Sequence, residues 1–249
     1  MKSIKLLFAK LHNNLQHLSL WVILLLIGVV IRINFLMETN WGIDSDEAIV
    51  GIMARDILAG DQLPVFYYGQ NYLGAIESYL VAFVGFFTEG VGNKDLKILP
   101  SIFSALLILS SYYLTRRLLG KWMSLVAMAL VAFCPSGLLE WGSRARGGFI
   151  EIVFGGSVAL CLASDIAKSE SLPKIRLMLL GCVLGLMWWM NSQSAYFIAA
   201  IGLVLFVVVS KKWRISGLFS SLLYGGLPFF IGSLPFWISN INSNPSFIT

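Results

Sequence analysis

Acidic, aromatic and basic side chains able to do chemistry concentrate in three short stretches of an otherwise apolar chain. In the first, Trp41-Gly-Ile-Asp-Ser-Asp-Glu-Ala48, Asp46 and Glu47 open an apolar-rich helical stretch from about Ile49 to Leu58 that Gly60 can end. A carboxylate there suits general-base work; the plainer reading is an acidic first turn that complements the helix dipole, with Asp44 or Ser45 as N-cap. The second stretch places Tyr68, Gln70, Asn71, Tyr72 and Glu77 just ahead of an apolar segment, a mixture suited to a sugar or lipid phosphate, or else an aromatic belt at headgroup level. The third, Glu140-Trp-Gly-Ser-Arg-Ala-Arg-Gly-Gly-Phe-Ile-Glu151, sets Arg144 and Arg146 beside two glycines and before Glu151. Guanidinium groups next to glycine amides are a recurring answer to phosphate, and snorkelling to lipid headgroups is the alternative.

The elements that must position these groups are membrane helices. Of the 249 residues 57% are hydrophobic and 12% charged, against roughly 25% charged in an average soluble domain. Apolar runs near the ~20 residues needed to cross a bilayer recur at Leu18–Leu36, Leu96–Leu114, Met123–Leu139, Phe149–Ile166, Leu177–Met190, Ala195–Val209 and Leu218–Ile238, so the expected fold is an all-α, polytopic bundle of about seven spans. The net charge of +5 does not point to nucleic acid, because the basic residues fall in clusters between spans. With the amino terminus cytoplasmic, Lys2, Lys5 and Lys10, then Arg116, Arg117 and Lys121, then Lys168, Lys174 and Arg176, then Lys211, Lys212 and Arg214 all lie inside. That result requires Tyr72–Phe87, short and interrupted by Glu77, to be a surface or partly inserted helix, leaving Glu38–Asp95 as one large external loop with short interfacial helices. If it crosses instead, the Arg116 cluster moves outside.

Cys134, Cys161 and Cys182 read as small core residues, Arg32 as a snorkelling side chain, His12 and His17 as inert, and Trp188–Tyr196 as an aromatic belt. No Walker loop, zinc spacing, dinucleotide fingerprint or Ser/His/Asp order is present. The chain reads as one domain, and its abrupt end in SNINSNPSFIT after an odd number of spans suggests the front part of a longer protein.

The order of the Asp46-Glu47 pair, Tyr68-Gly-Gln-Asn-Tyr-Leu-Gly-Ala-Ile-Glu77, Arg116-Arg-Leu-Leu-Gly120, Pro135 and Arg146-Gly-Gly-Phe-Ile-Glu151 resembles the membrane-embedded C-type glycosyltransferases, which include protein O-mannosyltransferases, aminoarabinose transferases and family 39 enzymes. The resemblance implies a catalytic aspartate in the first external loop, matching Asp46, with Glu47 beside it, and a polyprenyl-phosphate-linked sugar donor used at the outer face of the plasma membrane. The acceptor would be a glycan, lipid or protein, and a divalent metal stays open as cofactor. The sequence departs from the family where aminoarabinose transferases carry Glu-Lys-Pro, having Gly74-Ala-Ile instead, and where other members carry an aspartate, which falls nearest Gly147 with Glu151 a turn on. Family members are commonly about twice as long. Two other readings remain open: a transporter or flippase for lipid-linked sugar, and a non-catalytic fragment.

Overall fold

The computed structural model describes residues 2–242, with side chains from His17 onward except at 213–216, 218 and 242. The abrupt terminal segment singled out above lies mostly outside the described residues. Helices make up most of the chain: α1 (Lys2–Glu38), α2 (Ser45–Ala59), α3 (Ile76–Phe87), α4 (Asn93–Leu118), α5 (Lys121–Ala132), α6 (Ser136–Trp141), α7 (Phe149–Lys168), α8 (Lys174–Met190), α9 (Ala195–Ser221), α10 (Leu227–Gly232) and α11 (Leu234–Asn242). A 3-10 turn precedes α9 and a π turn, Leu222–Gly226, follows it.

Four stretches are long and apolar enough to cross a membrane: His17–Glu38, Asn93–Leu118, Phe149–Lys168 and Ser192–Lys212. A fifth exists if the bent pair Phe219–Gly232 and Leu234–Ile241 counts as one. Large apolar side chains, among them Leu26, Val30, Ile102, Leu203 and Phe230, point outward from these helices, the reverse of a water-soluble surface. The helices are those of a membrane protein.

Four or five spans among the described residues stand against the seven expected. The expected run Met123–Leu139 is interrupted: α5 stops at Ala132 and α6 starts at Ser136. Pro135 lacks an N–H and disfavours helical backbone at Cys134, which accounts for the break. The last expected span bends by 65° about Ser233, where Pro235 has no N–H to offer the carbonyl of Ile231. Helix α9 instead runs on past Val209, through the Lys211-Lys212 cluster expected to be a loop.

The segment expected as a surface helix from Tyr72 also differs. Residues Phe66–Tyr67 (β1) and Gln70–Gly74 (β2) form a small antiparallel hairpin, turned at Gly69 with φ of 81°, and α3 begins only at Ile76. At 12 residues α3 spans about 18 Å, too short for a ~30 Å hydrocarbon core. Phe83, Phe86 and Phe87 are exposed at its far end.

Close helix packing fixes the bundle. A Cβ at Gly181 would lie 2.0 Å from the Gly225 carbonyl oxygen and one at Gly185 2.2 Å from that of Phe229, so α8 meets the π turn and α10 backbone to backbone. This spacing of small residues is characteristic of membrane helix pairs. Arg32 does not snorkel. It is buried and donates to Ser104 Oγ (2.7 Å), Gly28 O (2.9 Å) and Val131 O (3.1 Å), joining α1 to α4 and to the carbonyl end of the interrupted α5. Those carbonyls need donors because the helix stops there.

Candidate active site

The site lies at one end of the bundle, where α2, the hairpin and α3 pack over the starts of α4 and α7 and the end of α8. Its centre is the first turn of α2. Asp44 is the N-cap: its Oδ1 accepts the Glu47 N–H at 3.0 Å, while Glu47 Oε2 accepts the Asp44 N–H at 3.1 Å, a reciprocal capping box. Gly60, with φ of 76°, closes the other end of α2.

Glu47 has a second partner that sequence reading missed. Lys97, one turn into α4, places Nζ 2.6 Å from Oε1 and 2.8 Å from Oε2 of Glu47, with both side chains sealed from solvent. An ionisable residue inside an apolar run is itself a signal, and Lys97 lay inside the expected span Leu96–Leu114. Glu47 is therefore bound on both sides. Asp46 is not: it is exposed, and its carboxylate makes no hydrogen bond among the described residues, although its backbone carbonyl accepts the Tyr67 hydroxyl at 2.9 Å. Burial, and the charges of Asp46, Glu77 and Asp44, push the Tyr67 phenol upward and keep it a donor.

Arg144 and Arg146 converge on Asp44. Arg144 Nη1 donates to Asp44 Oδ2 at 3.0 Å and Arg146 Nη2 donates to the same oxygen; Arg144 also pairs with Glu140. Burial alone would raise the Asp44 carboxyl, but the Glu47 amide and the two guanidinium groups hold it below its ordinary value. Each arginine is about a quarter exposed at 27% and 23%, and Arg146 Nε is buried without a partner among the described residues. Arg55 donates to the Val91 carbonyl at 2.9 and 3.2 Å and ties α2 to the turn before α4.

Behind the arginines, Gly147 and Gly148 take φ of 90° and 83°, a left-handed pair that few other residues tolerate. Both amides point at Glu77: its Oε2 accepts Gly148 N–H at 2.9 Å and Gly147 N–H as well. A side chain at either position would strike Leu73 or Met190. Glu77 is fully buried, and burial drives its carboxyl up to about 7 against the pull of the two amides, with the Glu47 charge adding to the rise. Glu151, also buried, interacts with Glu77 across the start of α7. Neither Glu151 oxygen, nor Glu77 Oε1, has a hydrogen-bond partner among the described residues. Asn191 completes this wall, donating to the Gly147 carbonyl at 3.1 Å. It falls in the stretch expected as an aromatic belt, where Trp189 also donates to Val65 O at 2.9 Å.

The structure thus brings Asp46, Glu47, Glu77, Arg144, Arg146 and Glu151 to one end of the bundle. Tyr68, Gln70, Asn71 and Tyr72 do not join them. Asn71 and Tyr72 are exposed, Gln70 is half-buried with no side-chain hydrogen bond among the described residues, and the Tyr68 hydroxyl lies 2.7 Å from Asp56 Oδ2 and 3.0 Å from Gln62 Oε1. Among the described residues no group of three His, Cys, Asp or Glu side chains is placed to hold a metal ion. Comparison with family models, curated proteins and solved structures gives no match.

Proposed function

We propose that this chain is an integral-membrane glycosyltransferase that moves a sugar from a polyprenyl-phosphate donor to an acceptor hydroxyl at the outer face of the cell membrane, with inversion. The observation that carries this reading is an exposed carboxylate, Asp46, without a hydrogen bond among the described residues, two residues along the chain from Asp44, on which two arginines converge. The acceptor oxygen attacks the anomeric carbon, the bond from that carbon to the phosphate oxygen breaks, and the acceptor proton passes to Asp46. Arg144 and Arg146 meet the charge that grows on the departing phosphate through the N–H groups not spent on Asp44 and Glu140. Glu47 then serves by fixing the first turn of α2 rather than by taking a proton.

Topology supports the external placement. The basic clusters expected inside meet at the opposite end of the bundle: Arg117 pairs with Asp165, Lys168 donates to the Arg117 carbonyl, and Lys212 donates to the Ala167 carbonyl. The transporter reading draws on one observation, the buried carboxyl pair Glu77 and Glu151, since such groups also mark ion pathways.

Asp46→Asn tests the proposal. Asparagine keeps the size and cannot take the proton, and Asp44 rather than Asp46 is the cap, so stability stays within a few tenths of a kcal/mol. Transfer from a polyprenyl-phosphate sugar, measured in reconstituted membranes, falls by about 10²-fold or more. Full activity in a folded Asp46→Asn protein removes Asp46 from the mechanism.

A further inference from the structure

Arg144 and Arg146 stand in the loop between α6 and α7, where no helix fixes the backbone beneath them. Two guanidinium groups meet one phosphate only if that backbone is held in a single shape. Ala145, between them, is fully buried in the core shared by α2, the hairpin, α3 and α4, while the side chains before and after it reach Asp44. The turn that follows is boxed in. A Cβ at Gly147 would lie 2.8 Å from Leu73 Cδ1, and one at Gly148 2.3 Å from Met190 Cγ.

Successive amides turned to one side form a cradle for an anion, which is why the glycine pair suggests phosphate in the sequence. Here the chain fills the cradle itself. Glu77 Oε2, from the first turn of α3, accepts the Gly148 N–H at 2.9 Å and the Gly147 N–H as well. From the end of α8, Asn191 Nδ2 donates to the Gly147 carbonyl at 3.1 Å, and Asn191 is itself fixed by accepting the Gln193 N–H at 2.9 Å. A carboxylate oxygen taking two N–H groups makes charge-assisted bonds, the stronger kind. A proton on Oε1, which makes no hydrogen bond among the described residues, leaves Oε2 an acceptor, so the clamp holds in either protonation state of Glu77.

We propose that Glu77 is a positioning residue: it occupies the glycine amides as an internal anion and so fixes the loop of Arg144 and Arg146, leaving the donor phosphate to be recognised by the guanidinium groups alone. Glu77 is sealed from solvent, so it acts through the loop and not by touching the donor. The inference rests on the glycosyl-transfer reading for the identity of the anion that the arginines meet.

The test uses the full chain in mild detergent, with farnesyl phosphate as the probe and its dissociation constant as the readout. Glu77→Leu, which fills the place without an acceptor, should weaken binding about tenfold or more, and should cost nothing further when added to R144Q/R146Q. Glu77→Gln keeps an acceptor for both amides and should stay within about threefold of the parent. Met128→Ala, a truncation in the core between α1, α4 and α5, should lower the melting temperature and leave the affinity unchanged, so lost stability alone does not imitate the effect. Unchanged affinity in a folded Glu77→Leu protein, an equal loss with and without the arginines, or the same loss in Glu77→Gln overturns the positioning role. If R144Q/R146Q binds as tightly as the parent, or the parent does not bind the probe, the phosphate reading of the arginines fails and the positioning role falls with it. If Glu77→Leu does not fold, Asn191→Ala decides: it removes the donor to the Gly147 carbonyl and should weaken binding several-fold only while the arginines are present, and unchanged affinity overturns the proposal.

Discussion

The two ends of the bundle use the same chemical groups to opposite effect. At the Asp46 end, Lys97 and Glu47 face each other with side chains 4% and 1% exposed. At the other end, Arg117 and Asp165 pair at 3.0 Å with side chains 34% and 28% exposed. The first pair joins the capping turn of α2 to α4, so its charges are committed to one arrangement. At the second end, cations sit on the carbonyl termini of α4 and α7, where Lys168 donates to Arg117 O and Lys212 to Ala167 O and Ser169 O, and water can replace any of them. Burial, not the number of ion pairs, decides where charge controls the fold.

The largest expected effect follows from removing one partner of the sealed pair. Lys97→Met leaves the Glu47 carboxylate buried and unneutralised, at a cost of about 3–5 kcal/mol in the unfolding midpoint measured in detergent. The double variant with Glu47→Gln removes the orphan charge and recovers part of the loss. A Lys97→Met protein within 1 kcal/mol of the parent would mean that water reaches Glu47 and that the two ends are less different than their geometry states.

How much of this was legible in the sequence depends on range. Asp46-Glu47, Glu77, Arg144, Arg146 and Glu151 could be singled out because each is a charged residue beside glycine, at a helix start or at the edge of an apolar run, and those signals are local. That Glu77 would meet Glu151 and the Gly147–Gly148 amides is set by how α3 packs against the start of α7, and no spacing records it. Lys97 carried a readable signal, an ammonium within an apolar run, but its partner lies fifty residues earlier in the chain. Arg32 was misread because snorkelling assumes an unbroken helix beside it, whereas the stop at Pro135 exposes the carbonyls of Val131 and Ala132 as acceptors. The aromatic, amide and glycine mixture from Tyr68 to Glu77 suggests a ligand surface by composition, whereas the turn at Gly69 folds its first half into a hairpin.

An intermediate effect is expected at Glu77, buried at the same end as Lys97. Its carboxyl is raised from 4.5 to about 7, so the folded protein holds this proton more tightly than the unfolded chain. The linked stability is fully present below about 4.5 and is lost as pH rises toward 7, by at most ~1.4 kcal/mol per pH unit, then levels off. Glu77→Gln keeps an acceptor for the glycine amides and carries no titrating proton. Melting temperatures taken from pH 5 to 8 should fall with pH in the parent and run flatter in the variant. Parallel curves would place the titration on a group other than Glu77.

The smallest effect belongs to the exposed end and completes the contrast. Asp165→Asn removes the carboxylate that Arg117 meets at 3.0 and 3.4 Å, while leaving an amide able to accept one of those hydrogen bonds. Both side chains are about a third exposed, so their attraction is weakened by solvent and opposed by the entropy of holding two mobile groups. The expected loss is about 0–1 kcal/mol, shrinking further between 0.05 and 0.5 M salt as the screening length shortens, whereas the cost of Lys97→Met should hardly respond to salt because water does not reach that pair. Salt dependence therefore separates the two ends more cleanly than the magnitudes do. A loss at Asp165 above 2 kcal/mol that persists in high salt would show that the basic end is as tightly fixed as the acidic one, and the division between a committed end and a solvated end would fail.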